Sequence, residues 1–344
     1  MYRFFKKFFS TAIILSCLQL ICISETLAAE SFSLRPVRPP SFKRLSRLLE
    51  NAQRSPLINT IDTLMRLSGI YEIAAAAINP QMVILPPADR AVRTSSGAVG
   101  PIRVLSANLL LFPAPIVFDQ EQRIAEFAKC VRSLDPDIIF TQEVWDNRSL
   151  GLLIAALPDY YSIYSPGIGY NYSGLLTLSR VAPETCRMRR FPTSLQHSLE
   201  EFMAQKSILQ TTLKYDGQFL HLFNTHLYSA APDKRYRPNL RQFKLLVDTV
   251  DNLSGRIIVG GDMNLVPADL QTLIPGSLRL EGCDLPTAGY PSLQRKLDYV
   301  MAGNRSGQTV ISGRRVDPPR RFSDHNPVFA EIKFIDEKGV TQPD

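Results

Sequence analysis

The sequence predicts an α/β protein, a four-layer α/β/β/α sandwich of two mixed β-sheets flanked by helices. After Gly100, short runs rich in β-branched and aromatic residues are separated by turn-forming residues and by a few helical patterns. Of the 344 residues, 45% are apolar, which is enough to bury a substantial core. Because strands and helices are mixed along the chain, two packed sheets covered by helices are the favoured architecture.

The individual elements follow from these local patterns. Apolar runs bounded by turn-forming residues predict strands at Ile102–Asn108, Asp137–Gln142, Tyr161–Tyr164, Gly174–Ser179, Ser207–Tyr215, Gln218–Asn224, Arg256–Gly260, Leu297–Met301 and Val328–Phe334. Apolar residues at helical spacing predict helices between them, at Gln120–Ser133, Ser149–Ala156 and Leu240–Leu253. The sequence contains no internal repeat and no low-complexity tract.

The first 28 residues have the features of an export signal. Lys6 and Lys7 precede an apolar run from about Phe8 to Ile23, and small residues follow at Ala28 and Ala29. The sequence therefore predicts a signal peptide, residues 1–28, and a periplasmic or secreted protein. An uncleaved anchor helix is the alternative, although the run is short for crossing a membrane, which needs about 20 apolar residues.

Three further regions follow the predicted signal. Residues 29–99 are basic and punctuated by proline, and they are interpreted as a helical and linker region with helical patterns at Ser41–Gln53 and Leu57–Ala77. The first of these helices fits either contact with a membrane surface or packing on the domain that follows. Residues 100–336 form the predicted main domain, and residues 337–344 form a C-terminal tail.

The charge of the chain favours anionic partners. The formal net charge is +7, which suits nucleic acid, a phospholipid surface or a phosphorylated substrate. Three cysteines follow the predicted signal, Cys130, Cys186 and Cys283, and their wide spacing excludes a disulfide framework or a cysteine zinc site. At most one disulfide can form among them. The sequence does not indicate an oligomeric state.

Polar residues stand at the ends of almost every predicted strand, where packing does not require them. Strand ends and the loops after them can gather residues that are remote in sequence. Each residue alone has a structural explanation, such as a solvated cap, but together they predict a functional site. The residues are Asn108, Glu143, Tyr172, His226, Asp262, Asn264, Asp298, Asp324 and His325.

Glu143 indicates a metal site. It follows the apolar run Ile138-Ile139-Phe140, and a carboxylate there is costly unless it is solvated, paired or bound to a metal. Mg²⁺ needs only one or two protein carboxylates, because waters and phosphate oxygens fill its other positions. Glu143, with Asn108 supplying an amide oxygen, matches this requirement. Mg²⁺ is therefore the predicted cofactor, and Mn²⁺ is an alternative.

An acid, an amide and two histidines indicate proton chemistry. Asp262 and Asn264 follow Gly260 and Gly261, and residues two apart in an extended segment point to the same face. His226 and His325 both lie in polar segments, and imidazole can exchange protons near neutral pH or donate hydrogen bonds to phosphate oxygens. The pattern predicts that these side chains address one reacting group.

Taken in order, these segments resemble the endonuclease/exonuclease/phosphatase superfamily. The resemblance covers about Ile102 to Ile335 and keeps the order of the family's motifs. The motifs are Asn108; Gln142-Glu143; Tyr172-Ser173-Gly174 through Ser179-Arg180; Asn224-Thr225-His226; Gly261-Asp262-Met263-Asn264; Leu297-Asp298-Tyr299; and Ser323-Asp324-His325-Asn326-Pro327.

The resemblance implies a metal-dependent phosphodiesterase and a role for each residue. Asn108 and Glu143 would hold the metal, with Asp324 nearby. Asp262 and Asn264 would position or deprotonate the attacking water. Asp298 would orient His325, which remains open as base, acid or charge stabiliser, while His226 and Tyr172 would contact phosphate oxygens. These roles agree with phosphoryl transfer, which needs alignment and charge stabilisation around an in-line displacement.

Further segments resemble bacterial and neutral sphingomyelinases and favour a phospholipid head group as substrate. These segments are Glu201–Ser207, Thr225–Ala230 and Arg241-Gln242. The preceding loop is apolar and is predicted to meet lipid or to pack on the core. Its apolar residues are Phe191, Leu195, Leu199, Phe202 and Met203.

Three alternatives share the scaffold. A secreted DNase-like endonuclease fits the basic charge and needs only phosphate contacts on a duplex. A phosphoinositide phosphatase is suggested by Arg235, Arg237 and Arg241. An inactive binding module is the fourth interpretation, but such modules would be expected to lack some of the polar residues, and all are present here.

Overall fold

The computed structural model describes most of the predicted main domain and two short segments before it. The described residues are 56–68, 80–88, 100–112, 117–167, 170–194, 201, 204–229, 237–288 and 294–336. The predicted signal peptide, the predicted helix Ser41–Gln53 and the C-terminal tail lie outside them, so the domain limits remain predictions. Within the described residues, no helix has the length and apolar character needed to cross a membrane.

Strands and short helices alternate along the described chain. The helices are α1 (Pro56–Leu67), α2 (Gln120–Leu134), α3 (Asn147–Ala156), α4 (Pro238–Asp251) and α5 (Pro267–Gln271). The strands are β1 (Val83–Leu85), β2 (Ile102–Leu111), β3 (Ile138–Val144), β4 (Tyr161–Pro166), β5 (Asn171–Ser179), β6 (Pro183–Arg190), β7 (Ser207–Tyr215), β8 (Gln218–His226), β9 (Arg256–Asp262), β10 (Arg279–Leu280), β11 (Asp298–Asn304), β12 (Gly307–Arg315) and β13 (Val328–Asp336).

Two mixed sheets form the centre of the molecule. The first has the order β1-β4-β5-β3-β2-β13-β12, and the second has the order β10-β11-β9-β8-β7-β6. In the first sheet β2 and β3 are parallel, in the second β8 and β9 are parallel, and the other neighbours are antiparallel. The predicted fold class, two mixed sheets flanked by helices, is confirmed.

Apolar side chains fill three spaces between the layers. Phe127 of α2 and Leu153 of α3 pack against the outer face of the first sheet. Phe140 of β3 and Ile258 of β9 meet between the two sheets. Phe243 of α4 belongs to a third cluster that covers the outer face of the second sheet. Helices therefore cover each sheet, because each sheet has an apolar outer face to bury.

A buried polar contact also joins the two sheets. Gln142 of β3 donates from Nε2 to Oδ1 of Asn224 on β8 at 2.9 Å. The amide nitrogen of Asn224 in turn donates to the backbone oxygens of Thr141 and Leu176, at 3.2 and 3.0 Å. These side chains are fully buried, so their hydrogen bonds fix how the sheets are placed against each other.

Gly261 is required by the close approach of β8 to β9. Its φ is +149°, and a Cβ there would lie 1.9 Å from the backbone oxygen of Thr225. We expect Gly261→Ala to lower the free energy of unfolding by roughly 3 kcal/mol or more, because backbone strain and overpacking act together. Urea unfolding followed by circular dichroism measures this change. Gly276→Ala is the control, since a Cβ there meets nothing within 4 Å, and an equal effect of both changes would contradict the expectation.

Candidate active site

The topology brings the predicted residues to one edge of the two sheets. Asn108 and Glu143 lie near the carboxyl ends of the parallel strands β2 and β3. In the second sheet, the register places His226 of β8 beside Asp262 of β9, and Asp262 beside Asp298 of β11. The three polar side chains therefore stand in a row across neighbouring strands.

Asn108 connects the two sheets at this edge. Its Nδ2 donates to Oε1 of Glu143 at 2.9 Å and to Oδ2 of Asp262 at 3.1 Å. Its Oδ1 accepts from the backbone N–H of Leu110 at 3.1 Å. The amide thus holds two carboxylates together through its nitrogen, whereas the sequence prediction gave its oxygen to a metal. That role remains a prediction.

Glu143 has the position and an unpaired carboxylate oxygen that suit a metal ligand. Its backbone has φ +59°, in the left-handed region that few residues other than glycine adopt. Its Oε2 is buried and has no hydrogen-bond partner within the described chain. Burial raises the pKa of this carboxyl group, and the positive charge of Lys206 opposes that shift. A buried carboxylate oxygen with no donor is well suited to a cation.

Among the residues that the structure describes, two overlapping groups of side chains could hold a metal ion. One group is Glu143, His226 and Asp262, and the other is Asp262, Asp298 and His325. In each group one ligand atom from each residue lies within 4.8 Å of the others. Asp324, the third predicted metal residue, belongs to neither group. Its side chain is exposed and accepts a hydrogen bond from Oγ of Ser323 at 3.3 Å.

His226 is neutral in this environment. It is 3% exposed, and its Nε2 lies 3.4 Å from Oδ2 of Asp262 and 3.8 Å from Oε1 of Glu143. Burial lowers its pKa well below the ordinary value, and the positive charges of Lys206 and His325 lower it further. A neutral imidazole can donate one hydrogen bond to a substrate oxygen without carrying charge.

Asp262 is an acid whose proton affinity is shifted toward neutrality. Burial raises its pKa to about 7, and repulsion from Asp298 contributes in the same direction. Its Oδ1 accepts from the backbone N–H of Asn264 at 3.0 Å, which is the hydrogen bond of an Asx turn. A carboxyl group with a pKa near 7 can take up and release a proton at neutral pH.

Asn264 is held firmly beside this acid. Its Nδ2 donates to the backbone oxygen of Leu227 at 3.0 Å, and its own backbone oxygen accepts from Asn239 at 2.7 Å. Its φ is +47°, so the turn after β9 is tight. Its amide oxygen makes no hydrogen bond within the described chain and remains available to a water or to a substrate.

His325 is paired with Asp298 and carries a positive charge. Its Nδ1 lies 2.9 Å from Oδ2 of Asp298. Burial lowers its pKa, but the negative charges of Asp298, Asp262 and Asp324 outweigh burial and raise the pKa to about 10. The other ring nitrogen, Nε2, therefore carries a proton at neutral pH.

Replacing Asp298 tests this pairing. We expect Asp298→Asn to lower the pKa of His325 from about 10 to near or below its ordinary value of 6.5, because the largest attraction to the imidazolium is lost while burial remains. Histidine NMR titration in EDTA measures the shift, with His325→Gln used to assign the resonance. The exposed Asp248→Asn is the control. An unchanged pKa in Asp298→Asn would show that another group holds the charge.

Two further residues lie at this edge that the sequence does not assign to the site, although one of them, Lys206, belongs to the segment Glu201–Ser207. Thr287 accepts at Oγ1 from the N–H groups of Leu297 and Asp298, at 3.0 Å each, and its backbone oxygen accepts from Asn326 at 2.7 Å. Thr287 thus joins the segments that carry Asp298 and His325. Lys206 is the other residue, a buried lysine whose charge acts on Glu143, His226 and Asp262.

Tyr172 packs in an apolar cluster of its own. It is buried between the sheets with Ile163, Leu175 and Met188. Burial raises the pKa of its hydroxyl, and the neighbouring Arg190 guanidinium opposes the shift. Within the described chain no hydrogen bond joins Tyr172 to the carboxylates or histidines of the site. Its contact with a phosphate oxygen therefore stays a prediction.

Comparison with known proteins identifies a matching family model. The model of the Endonuclease/Exonuclease/phosphatase family matches residues 105–325, the region in which the sequence motifs lie. No curated protein matches the sequence.

Several solved structures have a similar fold. Sphingomyelinase C from Streptomyces griseocarneus has a TM-score of 0.56 and 19% identity, over 68% of this chain and 99% of that one. Truncated TDP2 from Caenorhabditis elegans has a TM-score of 0.54 and 20% identity, over 68% and 97%. Beta toxin from Staphylococcus aureus has a TM-score of 0.54 and 17% identity, over 67% and 99%.

Proposed function

The chain belongs to the endonuclease/exonuclease/phosphatase family, and from that premise we propose that it is an exported, Mg²⁺-dependent phosphodiesterase whose preferred substrate is a phospholipid head group. The observation that carries the proposal is the row of His226, Asp262 and Asp298 opposite Glu143, at one edge of two sheets. With Asn264 and His325 beside it, this row can bind a cation, orient a water and protonate a leaving group.

The donor set fits a magnesium ion. Glu143 would hold the ion through its buried Oε2, which has no donor in the described chain, and Asn108 would contribute the free lone pair of Oδ1. Mg²⁺ prefers such oxygen ligands over imidazole nitrogen, which leaves His226 for the substrate. When bound, the cation would neutralise charge that develops on the phosphate.

Asp262 and Asn264 prepare the attacking water. The carboxylate of Asp262 accepts a proton from the water, since its pKa of about 7 allows it to hold and release that proton at neutral pH. The amide oxygen of Asn264 accepts the second hydrogen of the water and sets its direction. As the water oxygen bonds to phosphorus, the opposite phosphorus–oxygen bond breaks.

His325 acts as the acid, not as the base. With a pKa raised to about 10, it is an imidazolium before the reaction starts. Asp298 holds Nδ1, so the proton on Nε2 is given to the leaving oxygen. His226 donates from Nε2 to a non-bridging phosphate oxygen. The roles of the two histidines differ because opposite environments shift their pKa values in opposite directions.

The apolar loop gives less support for a lipid substrate than the sequence suggests. Phe191, from the apolar loop predicted to meet lipid, is 1% exposed and belongs to the core beneath α4, so it does not contact lipid. Leu195, Leu199, Phe202 and Met203 lie outside the described residues. The lipid proposal is supported by the similar fold of a sphingomyelinase C and by the predicted export signal.

A nucleic acid phosphodiester is the second candidate, because three exposed arginines precede His325 in the chain. Arg314, Arg320 and Arg321 are exposed on the segment that leads to His325. Arginines beside a catalytic edge suit a chain of phosphates. A similar fold is also found in D. rerio TDP2 complexed with single-strand DNA product.

The phosphoinositide phosphatase loses part of its support. Arg237 makes a bidentate hydrogen bond to Asp269, at 2.8 and 2.5 Å, and so is occupied. Arg235 lies outside the described residues, and Arg241 remains exposed on α4.

A substrate panel distinguishes these candidates. Purified protein with Mg²⁺ is offered sphingomyelin, phosphatidylcholine, a phosphoinositide and plasmid DNA, and phosphocholine, inorganic phosphate and nicked DNA are measured. The proposal expects release of phosphocholine. Rapid DNA cleavage without lipid turnover would replace the lipid with nucleic acid, and inactivity on all four would favour a binding module. N-terminal sequencing of the exported protein tests cleavage after Ala28.

A further inference from the structure

Lys206 lies at the same edge as the proposed catalytic residues. It directly precedes β7, which runs antiparallel to β8 with Ile208 opposite Thr225. The beginning of β7 therefore stands beside the end of β8, where His226 lies. The strand register thus places this lysine next to the row of polar side chains, although about 20 residues separate it from His226 in sequence.

The backbone on both sides of Lys206 is fixed. Its oxygen accepts from the N–H of Phe191 at 3.0 Å. The hydroxyl of Ser207 donates to the oxygen of Gln205 at 2.7 Å, and Gln205 has φ +48°. Thr225 donates to the oxygen of Ser207 at 2.9 Å. These contacts fix the backbone from which the lysine side chain extends.

Lys206 is a buried cation that forms no ion pair with any residue the structure describes. It is 6% exposed, and among the residues that the structure describes, its ammonium group makes no ion pair or hydrogen bond. Lysine is rarely buried without a partner because removing an ammonium group from water is costly. The charge is close enough to lower the pKa values of Glu143, His226 and Asp262.

We propose that Lys206 binds a non-bridging oxygen of the scissile phosphate and stabilises the charge that develops there during hydrolysis. The proposal rests on the proposed function of this site and adds an ammonium group to its substrate contacts. A fixed cation in a site that excludes water acts more strongly on an oxyanion than the same cation in solvent. A structural counter-charge for the buried carboxylates is the competing explanation, and it predicts no contact with phosphate.

The test compares Lys206→Met with wild type on bis(p-nitrophenyl) phosphate at saturating Mg²⁺. We expect kcat/KM to fall by about 10²–10³-fold, as for the loss of one oxyanion donor. Inhibition by inorganic phosphate should weaken in parallel. The Mg²⁺ concentration for half-maximal rate should stay equal or fall, because a positive charge beside the metal is removed.

The controls separate contact with phosphate from a structural role. Lys214→Met makes the same change at an exposed position on the same strand and should leave every parameter unchanged. Lys206→Arg keeps the charge and should restore at least a tenth of the lost rate. If Lys206→Met does not fold, Lys206→Gln is compared with Lys206→Arg in the same measurements. A kcat/KM within threefold of wild type, or unchanged inhibition by phosphate, overturns the proposal.

Binding of inorganic phosphate also distinguishes failure of the Lys206 proposal from failure of the proposed function. Binding of inorganic phosphate is measured by thermal shift with Mg²⁺ present, without any substrate. A wild-type protein that hydrolyses no phosphodiester would contradict the proposed function, yet phosphate binding that Lys206→Met abolishes would still support the anion contact. An active wild type whose phosphate binding does not depend on Lys206 would contradict the contact alone.

Discussion

We expect Asp262→Asn to lower kcat for phosphodiester hydrolysis by about 10³-fold or more, because the amide cannot accept the proton of the attacking water. The variant keeps the size of the side chain and should remain folded. Circular dichroism and steady-state kinetics at saturating Mg²⁺ measure both properties. Asp248→Asn is the control, since it makes the same change at an exposed position on α4.

The same variant should unfold at an equal or higher temperature than wild type at pH 8. Burial and Asp298 raise the pKa of Asp262 to about 7, above the value of 3.8 expected in the unfolded chain. The folded state therefore binds the proton more tightly, and the stability from this residue is lost as pH rises from about 4 to 7. Thermal unfolding in EDTA measures the difference. Near-normal turnover in Asp262→Asn would show that another group accepts the proton.

Removing the metal should have a comparable effect. We expect EDTA to lower the rate of phosphodiester hydrolysis by about 10³-fold or more, and added Mg²⁺ to restore it, because a bound cation supplies several kcal/mol of charge stabilisation. The rate is measured on bis(p-nitrophenyl) phosphate across a magnesium titration. Mn²⁺ is tested in the same titration. Full activity in EDTA would contradict the metal assignment.

Replacing Glu143 tests which of the two groups of side chains binds the metal. Glu143→Gln should raise the Mg²⁺ concentration for half-maximal rate by about 100-fold, since a carboxylate ligand is lost. Glu331→Gln is the control, because Glu331 is an exposed acid on β13. An unchanged magnesium requirement in Glu143→Gln would move the metal to the second group, around Asp298 and His325.

Much of the site is predictable from the sequence, because polar residues at the ends of apolar strands are conspicuous. Glu143 and Asp262 each follow a run that must be buried, so their carboxylates have few structural explanations. Parallel pairing of β8 with β9 then places His226 beside Asp262. The sequence indicates both strands, but only their pairing register shows that His226 and Asp262 are neighbours.

Edge strands are the elements that the sequence does not predict. β6 begins with proline and carries charged residues, and β12 alternates between partly buried and exposed positions. An edge strand has one row of unpaired backbone groups, and charged residues and proline are common there because they discourage pairing with another chain, so its sequence is less apolar than that of a central strand. Both strands lie at the edge of a sheet, but the sequence of neither can be distinguished from that of a loop.

Side-chain contacts are less predictable still. Lys206 lies in the segment Glu201–Ser207 that resembles sphingomyelinases, but the sequence does not indicate its burial, which depends on residues distant in the chain. The amide of Asn108 donates to two carboxylates, an orientation that composition cannot reveal. The aromatic ring of Tyr172 packs between the sheets, which a motif does not indicate. Such features arise from tertiary packing and not from local pattern.

The polar contact between Gln142 and Asn224 limits how this protein can be engineered. An apolar pair of similar volume could raise thermal stability, since buried polar groups add little net free energy. Such a pair would also allow one sheet to slide on the other, and Glu143 and His226 stand one and two residues beyond that contact. A stabilising redesign of the interior would then disturb the alignment of the reacting groups, so libraries that select for heat resistance alone should leave this pair unchanged.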